Sequence, residues 1–168
     1  RLAALARRTG VPLVAGAAES AKTSQSAPEG RLVLRDGVRH NAAYFVSPDG
    51  EIAEPYRKRR LVPFAEYTPL GVAWPAALVR PGVNLQAGDA PVQWTLPGGL
   101  RIAPLICWEN LFAGLARDAV RGGTQVLVQL TDDAWFGRSA ASRQHNLASV
   151  LRAVENGVPV VIASNAGP

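Results

Sequence analysis

The chain alternates apolar runs of strand length with helical segments, and this alternation restricts the possible folds more than any other feature of the sequence. In the second half, the predicted order is strand Leu100–Ile106, helix Glu109–Arg121, strand Thr124–Leu130, helix Ser139–Asn156 and strand Val158–Ser164. Glycine follows both helices, as it commonly does at helix ends. Strands that alternate with helices predict an α/β fold in which helices pack on a sheet.

The first half adds hairpins to this pattern. Its predicted elements are helix Arg1–Thr9, strand Val11–Ala18, a polar loop Glu19–Gly30 and short strands Arg31–Arg35 and Asn41–Val46. A turn signal, Ser47-Pro48-Asp49-Gly50, joins the last strand to Glu51–Lys58 as a hairpin. Val92–Leu96 forms a second predicted hairpin with Leu100–Ile106. Together these features predict mixed sheets within one domain that spans residues 1–168.

Composition excludes several classes of protein. With 48% hydrophobic and 18% charged residues, the chain is globular rather than disordered. The net charge of +5 is scattered apart from the cluster Arg57–Arg60, and no groove-reading motif accompanies it, so we expect no nucleic-acid binding. The longest apolar stretches, such as Val158–Ala163, are too short to span a membrane. A single cysteine rules out an internal disulfide and argues against a cysteine-based zinc site.

That cysteine, Cys107, lies where the strand Leu100–Ile106 meets the following helix. Backbone N–H groups at a helix N-terminus stabilise a thiolate, and the N–H of Trp108 could also bind an oxyanion. Cys107 is therefore either a nucleophile or a small buried side chain. A nucleophilic cysteine usually needs a base, and neither histidine is well placed. His40 opens a strand, and His145 lies on a helix as a surface or packing residue would.

Two charged residues near the middle of the chain are better partners for a nucleophile. Lys58 is one of only two lysines among 18 cationic residues, and lysine is a compact point charge that arginine does not replace. Glu66 lies between apolar neighbours in Arg59–Gly88, a proline-rich segment whose length is typical of functional loops. The alternatives are a solvated basic turn for Lys58 and a loop cap for Glu66. Glu109, two residues after Cys107, either orders its neighbours or interacts with the helix dipole.

A third stretch, Thr131–Gly137, combines two acids with two aromatic residues directly after a strand. Ligand-binding loops of α/β folds collect at such strand ends. Trp135 and Phe136 are suited to an apolar substrate, whereas Asp132 and Asp133 could bind a metal ion. Adjacent side chains point in different directions in an extended segment, so the metal site is the weaker alternative. The sequence indicates neither a metal nor a cofactor.

These stretches, in this order, resemble the motifs of the nitrilase superfamily, also called the carbon–nitrogen hydrolases. Tyr56–Leu70 resembles its lysine motif and Ile106–Glu109 its cysteine motif. Its C-terminal signature is resembled by Asp133–Gly137, Gln144-His145, Arg152–Val160 and Ser164–Gly167. The chain is most similar to the membrane-anchored branch of the superfamily, the bacterial apolipoprotein N-acyltransferases.

The resemblance implies an αββα sandwich with mixed sheets, incomplete at the N-terminus, and a Glu-Lys-Cys triad. Cys107 would attack a phospholipid ester, hold the acyl chain as a thioester and pass it to the N-terminal amine of a diacylglyceryl-modified apolipoprotein. Lys58 would stabilise the oxyanion with the amide of Trp108. Glu66 would hold Lys58 and support acid–base chemistry, and Glu109 would order the site.

Three aromatic residues would bind the substrate: Trp135, Phe136 and Tyr67. The resemblance also implies a bacterial inner-membrane protein whose catalytic domain faces the extracytoplasmic side, anchored by segments absent from this chain. The general-base Glu of the family is expected upstream of Arg1. Two alternatives stay open: a soluble amidase that hydrolyses a small amide, and an inactive remnant that lacks this base.

Overall fold

The computed structural model describes residues 1–26, 32–71, 75 and 84–165 of the chain. The proline-rich segment is therefore described only in part, and its Pro81 lies outside these residues, as do Ala166 and Gly167 of the predicted C-terminal motif. Within the described part of the chain, the architecture is two β-sheets with helices outside them.

The first sheet is antiparallel and consists mainly of one long hairpin. β1 (Leu13–Ser26) pairs with β2 (Leu32–Val46), and β2 pairs with the short β3 (Tyr56–Arg57) in the order β1-β2-β3. The hairpin predicted around Ser47–Gly50 therefore exists, because β2 and β3 are its two arms.

Several element boundaries in this sheet differ from the predictions. The polar loop predicted at Glu19–Gly30 is wrong as far as Ser26, since β1 continues through these residues; residues 27–30 lie outside the described part. The strands predicted at Arg31–Arg35 and Asn41–Val46 are one strand, β2. An antiparallel ladder pairs backbone groups whatever the polarity of the side chains, which explains both differences. The predicted strand Glu51–Lys58 shortens to β3.

The second sheet is mixed and has the order β4-β5-β6-β7. Its strands are β4 (Trp94–Thr95), β5 (Arg101–Ile106), β6 (Val126–Thr131) and β7 (Val160–Ser164). β4 runs antiparallel to β5, while β5, β6 and β7 are parallel to one another. The second predicted hairpin and the mixed character of the sheets are thereby confirmed.

The described residues contain three α-helices. α1 (Leu2–Thr9) precedes β1, α2 (Ala113–Arg121) lies between β5 and β6, and α3 (Ala141–Asn156) lies between β6 and β7. Gly10 and Gly157 end α1 and α3 with φ of 68° and 65°, a left-handed conformation that glycine adopts without a Cβ penalty. Among the described residues, none of the helices combines the length and the apolar character that a bilayer span requires.

The two sheets pack face to face, and helices cover their outer sides. Buried side chains from both sheets form one core cluster, namely Ala43, Phe45, Tyr56, Trp94, Ile102 and Ile106. Behind the second sheet, α2 buries a further cluster against β5 and β6, with Leu115 and Ala116 against Leu105 and Leu127. On the other side, α1 contacts β2 and buries Ala6 completely. This is the αββα sandwich expected from the sequence.

Gly88 brings the end of the proline-rich segment against β3, where a side chain does not fit. Its N–H donates to the carbonyl oxygen of Lys58 at 2.8 Å. A Cβ at this position would lie 2.7 Å from the Cβ of Arg57 and would overlap the Arg57 carbonyl oxygen. Glycine at this position therefore allows the proline-rich segment to approach β3 closely enough to donate this hydrogen bond to Lys58.

We expect Gly88→Ala to lower the free energy of unfolding by about 1–3 kcal/mol, since the added methyl group overpacks a backbone contact. Gly114 in α2 is the matched control because nothing lies within 4 Å of its Cβ position. Gly114→Ala should raise the free energy of unfolding by about 0.5–1 kcal/mol. Chemical denaturation measures both variants, and equal stabilities would contradict the close approach at Gly88.

Candidate active site

A cavity of about 970 Å³ opens between the two sheets near the ends of β5 and β6. Six predicted site residues line it: Lys58, Glu66, Cys107, Trp108, Trp135 and Phe136. Apolar residues such as Val14, Leu111 and Leu130 form much of the remaining wall. Glu109 and Tyr67 are not part of this wall. The structure thus brings together most of the residues predicted from the three motifs.

Cys107 occupies a strained turn directly after β5. Its φ of 53° is left-handed, a conformation that costs a residue other than glycine about 1–3 kcal/mol. Its carbonyl oxygen accepts a hydrogen bond from Nε2 of Gln129 at 3.3 Å, and the Gln129 side chain is fully buried. The side chain of Cys107 is partly exposed within the cavity. The turn therefore presents the thiol to the cavity from a fixed backbone.

The single helix predicted for Glu109–Arg121 is wrong. A 3₁₀ helix, Cys107–Leu111, comes first, and Phe112 adopts an extended conformation before α2 begins. At the start of the 3₁₀ helix, the carboxylate of Glu109 turns back to accept the N–H of Ile106 at 2.8 Å. Such a contact satisfies a backbone donor at the start of a short helical turn.

Glu109 is the buried acceptor that joins the turn at Cys107, here called the cysteine turn, to Tyr56–Leu70, here called the lysine segment. Its side chain is 0% exposed. Besides Ile106, it accepts the N–H of Arg59 at 2.7 Å, the N–H of Arg60 at 3.1 Å and the hydroxyl of Tyr56 at 2.9 Å. Burial raises the pKa of the Glu109 carboxyl, and the backbone N–H donors oppose that rise. Glu109 thus connects the two segments from behind the cavity wall.

Lys58 and Glu66 form a buried ion pair on the cavity wall. Nζ of Lys58 lies 2.9 and 2.8 Å from the two carboxylate oxygens of Glu66, and Lys58 is 1% exposed. Glu66 also accepts the N–H of Val62 at 2.7 Å and Nδ2 of Asn41 at 2.9 Å. An ammonium group has three donors, so one N–H of Lys58 remains for a ligand in the cavity.

The aromatic residues occupy different positions around this centre. Trp108 donates from Nε1 to the carbonyl oxygen of Arg60 at 2.5 Å, which ties the cysteine turn to the lysine segment a second time. Trp135 is 63% exposed at the cavity wall, while Phe136 packs edge-on against the ring of His145. Tyr67 lies on the lysine segment outside the cavity wall, and its role in substrate binding stays a prediction.

Sequence reasoning did not find the pair formed by Asp133 and His145. Asp133 is 2% exposed and accepts hydrogen bonds from Thr131 and Ser142 as well as from His145. Asp133 is therefore the shared acceptor of a buried hydrogen-bond network. Within the described residues, no group of three or more His, Cys, Asp and Glu side chains is arranged to hold a metal ion. A signal was present, because His145 belongs to the buried stripe of α3 that also contains Ser149.

Glu19 has a structural partner on β3 instead of a place on the cavity wall. Its carboxylate accepts from Nε of Arg57 at 2.5 Å and from Nη2 at 2.8 Å. The Arg57 guanidinium holds the pKa of the Glu19 carboxyl below its usual value. Glu19 therefore does not replace the general base that the sequence resemblance places upstream of Arg1.

Comparison with known proteins shows which family the chain belongs to. Residues 1–168 match the carbon–nitrogen hydrolase family over their whole length. The chain belongs to this family. The amidase of Nesterenkonia sp. has the same fold, with a TM-score of 0.61 and 24% identity over 100% of this chain and 52% of the amidase chain. A mutant of that amidase aligns with a TM-score of 0.65 at 23% identity, over 99% of this chain and 52% of the mutant chain.

Curated relatives are more similar in sequence and carry one name. The apolipoprotein N-acyltransferase of Geobacter metallireducens is 42% identical over 144 residues, which are 79% of this chain and 26% of that protein. The apolipoprotein N-acyltransferase of Rhizobium meliloti is 41% identical over 137 residues, 76% of this chain and 25% of that protein. The chain thus spans about a quarter of the length of these relatives.

We expect Glu109→Gln to lower the free energy of unfolding by about 3 kcal/mol, since the amide NH₂ faces buried N–H donors that then lack an acceptor. Tyr56→Phe is the matched control because it removes one donor and leaves three backbone N–H groups bound to Glu109. It should cost about 1–2 kcal/mol. Urea denaturation of both variants measures the difference. A Glu109→Gln variant no less stable than Tyr56→Phe would argue against Glu109 as the joining acceptor.

Proposed function

We propose that the complete protein is an N-acyltransferase that moves an acyl chain from a phospholipid to the N-terminal amine of an apolipoprotein, through a thioester on Cys107. The observation that carries this proposal is a largely apolar cavity in which Cys107 meets the buried pair of Lys58 and Glu66. The names of the curated relatives support the same activity.

The chemistry follows from the groups that line the cavity. The thiolate of Cys107 attacks the ester carbonyl of the phospholipid, the acyl group becomes a thioester, and the lysophospholipid leaves. The free N–H of Lys58 stabilises the oxyanion, together with the backbone N–H of Trp108. Glu66 fixes the Lys58 ammonium and takes part in acid–base chemistry. The proton given up by the thiol of Cys107 is returned to the oxygen of the leaving lysophospholipid.

Exposed apolar residues at the cavity support a lipid substrate. Trp135 is 63% exposed and Leu111 is 53% exposed, and both line the cavity. Large apolar side chains in such positions are typical of surfaces that meet a lipid or a partner. We propose that the catalytic domain lies at the bacterial inner membrane on the extracytoplasmic side, with a phospholipid donor and a diacylglyceryl-modified apolipoprotein acceptor.

A soluble amidase would use the same cysteine with water as the acceptor. The likeness to the Nesterenkonia amidase, at 24% identity, establishes the shared fold alone. An inactive remnant is the other alternative. It would contain the same cavity without forming an acyl-enzyme, so one experiment separates these possibilities from acyl transfer.

The complete protein, incubated with phospholipid vesicles, should gain the mass of one acyl chain. The adduct should map to Cys107, and Cys107→Ser should abolish the thioester mass and its release by hydroxylamine. Intact-mass spectrometry before and after hydroxylamine measures both. An adduct that survives in Cys107→Ser would contradict the proposed nucleophile, and a protein that never gains the adduct would support the amidase or the remnant.

Lys58→Arg should slow acyl-enzyme formation by about 100-fold or more even though it preserves the charge. Lys58 is 1% exposed with both oxygens of Glu66 on its Nζ, so the planar guanidinium cannot reproduce the point donor. Lys22→Arg, at the other lysine of the chain, is the control and should keep the rate within about twofold. Single-turnover acylation measures the rates, and an unimpaired Lys58→Arg would contradict the role of Lys58.

A further inference from the structure

His145 belongs to the cavity wall and has a buried ring nitrogen without a partner among the described residues. The residue lines the cavity and is 6% exposed. Its Nε2 is fully buried and makes no hydrogen bond within the described structure. A buried nitrogen without a partner costs free energy, so its presence on a cavity wall points to a ligand that supplies the partner.

Asp133 determines what kind of ligand atom this nitrogen can bind. Its carboxylate accepts from Nδ1 of His145 at 3.2 Å, while the hydroxyls of Thr131 and Ser142 donate to the same carboxylate at 2.9 and 3.2 Å. A carboxylate only accepts, so Nδ1 carries the ring hydrogen. In the neutral form of such a ring, Nε2 has a lone pair that accepts a hydrogen bond from an N–H or O–H group.

Two buried amide side chains link His145 to the cysteine turn. Nδ2 of Asn110 donates to the carbonyl oxygen of His145 at 2.7 Å and to Oε1 of Gln129 at 3.3 Å. Nε2 of Gln129 donates in turn to the carbonyl oxygen of Cys107 at 3.3 Å. Ser149 also donates to Oε1 of Gln129. The backbones of His145 and Cys107 are thus held on one buried network.

We propose that the ring of His145 is neutral and that its Nε2 binds an N–H of the acceptor amine and orients that amine toward the thioester on Cys107. This inference rests on the proposed function. The reacting end of the phospholipid offers ester oxygens, which are acceptors, whereas a neutral amine offers N–H donors to the lone pair. In the transfer step, the amine nitrogen bonds to the acyl carbon and the carbon–sulfur bond breaks. The electron pair returns to sulfur, and the proton lost by the amine is recovered on the thiol.

The lysophospholipid hydroxyl that leaves in the first step is another donor, so the test must separate the two half-reactions. Acylation is followed by acyl-enzyme mass with phospholipid alone. Transfer is followed by adding a diacylglyceryl-modified peptide amine to the isolated acyl-enzyme. His145→Asn keeps a donor at the position of Nδ1 and removes the acceptor, whereas His145→Gln can present an amide oxygen near the position of Nε2. Gln144→Ala, at an exposed neighbour on α3, is the control.

The ratio of the transfer rate to the acylation rate should fall by about tenfold or more in His145→Asn, with a raised KM for the peptide amine. His145→Gln should recover the ratio to within about threefold, and Gln144→Ala should match the unsubstituted protein.

A His145→Asn variant with an unchanged ratio would overturn the inference, as would an equal loss in both half-reactions that tracks a lower melting temperature. A slower acylation alone would assign Nε2 to the leaving hydroxyl and also overturn it. If the unsubstituted protein forms no acyl-enzyme, the proposed function fails, and this inference fails with it.

Discussion

The carboxylate of Glu109 joins the two segments of the chain that carry Lys58 and Cys107. The segments are separated by about 50 residues, and their backbones meet because one buried side chain accepts the N–H groups of both Ile106 and Arg59. Removing a buried acceptor of this kind leaves several donors without partners at once, which costs more than any single hydrogen bond contributes. The geometry of the cavity therefore depends on a residue that does not line it.

Polar groups around the cavity are expensive to bury, and the Lys58–Glu66 pair and Gln129 have partners that limit their movement. The Lys58–Glu66 pair loses most of its hydration, and hydrogen bonds from Asn41 and Val62 to Glu66 compensate for that loss. A buried ion pair contributes little to stability compared with an apolar pair of the same size, so its value lies in geometry. The same holds for Gln129, which fixes the carbonyl of a strained turn. Rigid donors in an apolar cavity are what oxyanion stabilisation requires.

Sequence reasoning reached the layered fold and most of the candidate site because both depend on local signals. An apolar strand followed by Cys107, a lysine among arginines and an acid in a proline-rich loop are visible without coordinates. The left-handed φ of Cys107 and the extension of β1 are not visible, because they depend on pairing and hydrogen bonds with distant residues. The local pattern indicated a surface or packing role for His145 for the same reason, and its place in the C-terminal signature gave it no role of its own. Only the fold shows that its Nε2 is buried at the cavity without a described partner.

Amide hydrogen exchange in Glu109→Gln, compared with the unsubstituted protein, tests this account most directly. The amides of Ile106, Arg59 and Arg60 should lose protection together, since all three donate to the same carboxylate. The amide of Leu127, which donates to a backbone carbonyl in the second sheet, should keep its protection. Unchanged protection of Arg59 and Arg60, with loss only at Ile106, would contradict the claim that Glu109 holds the two segments together.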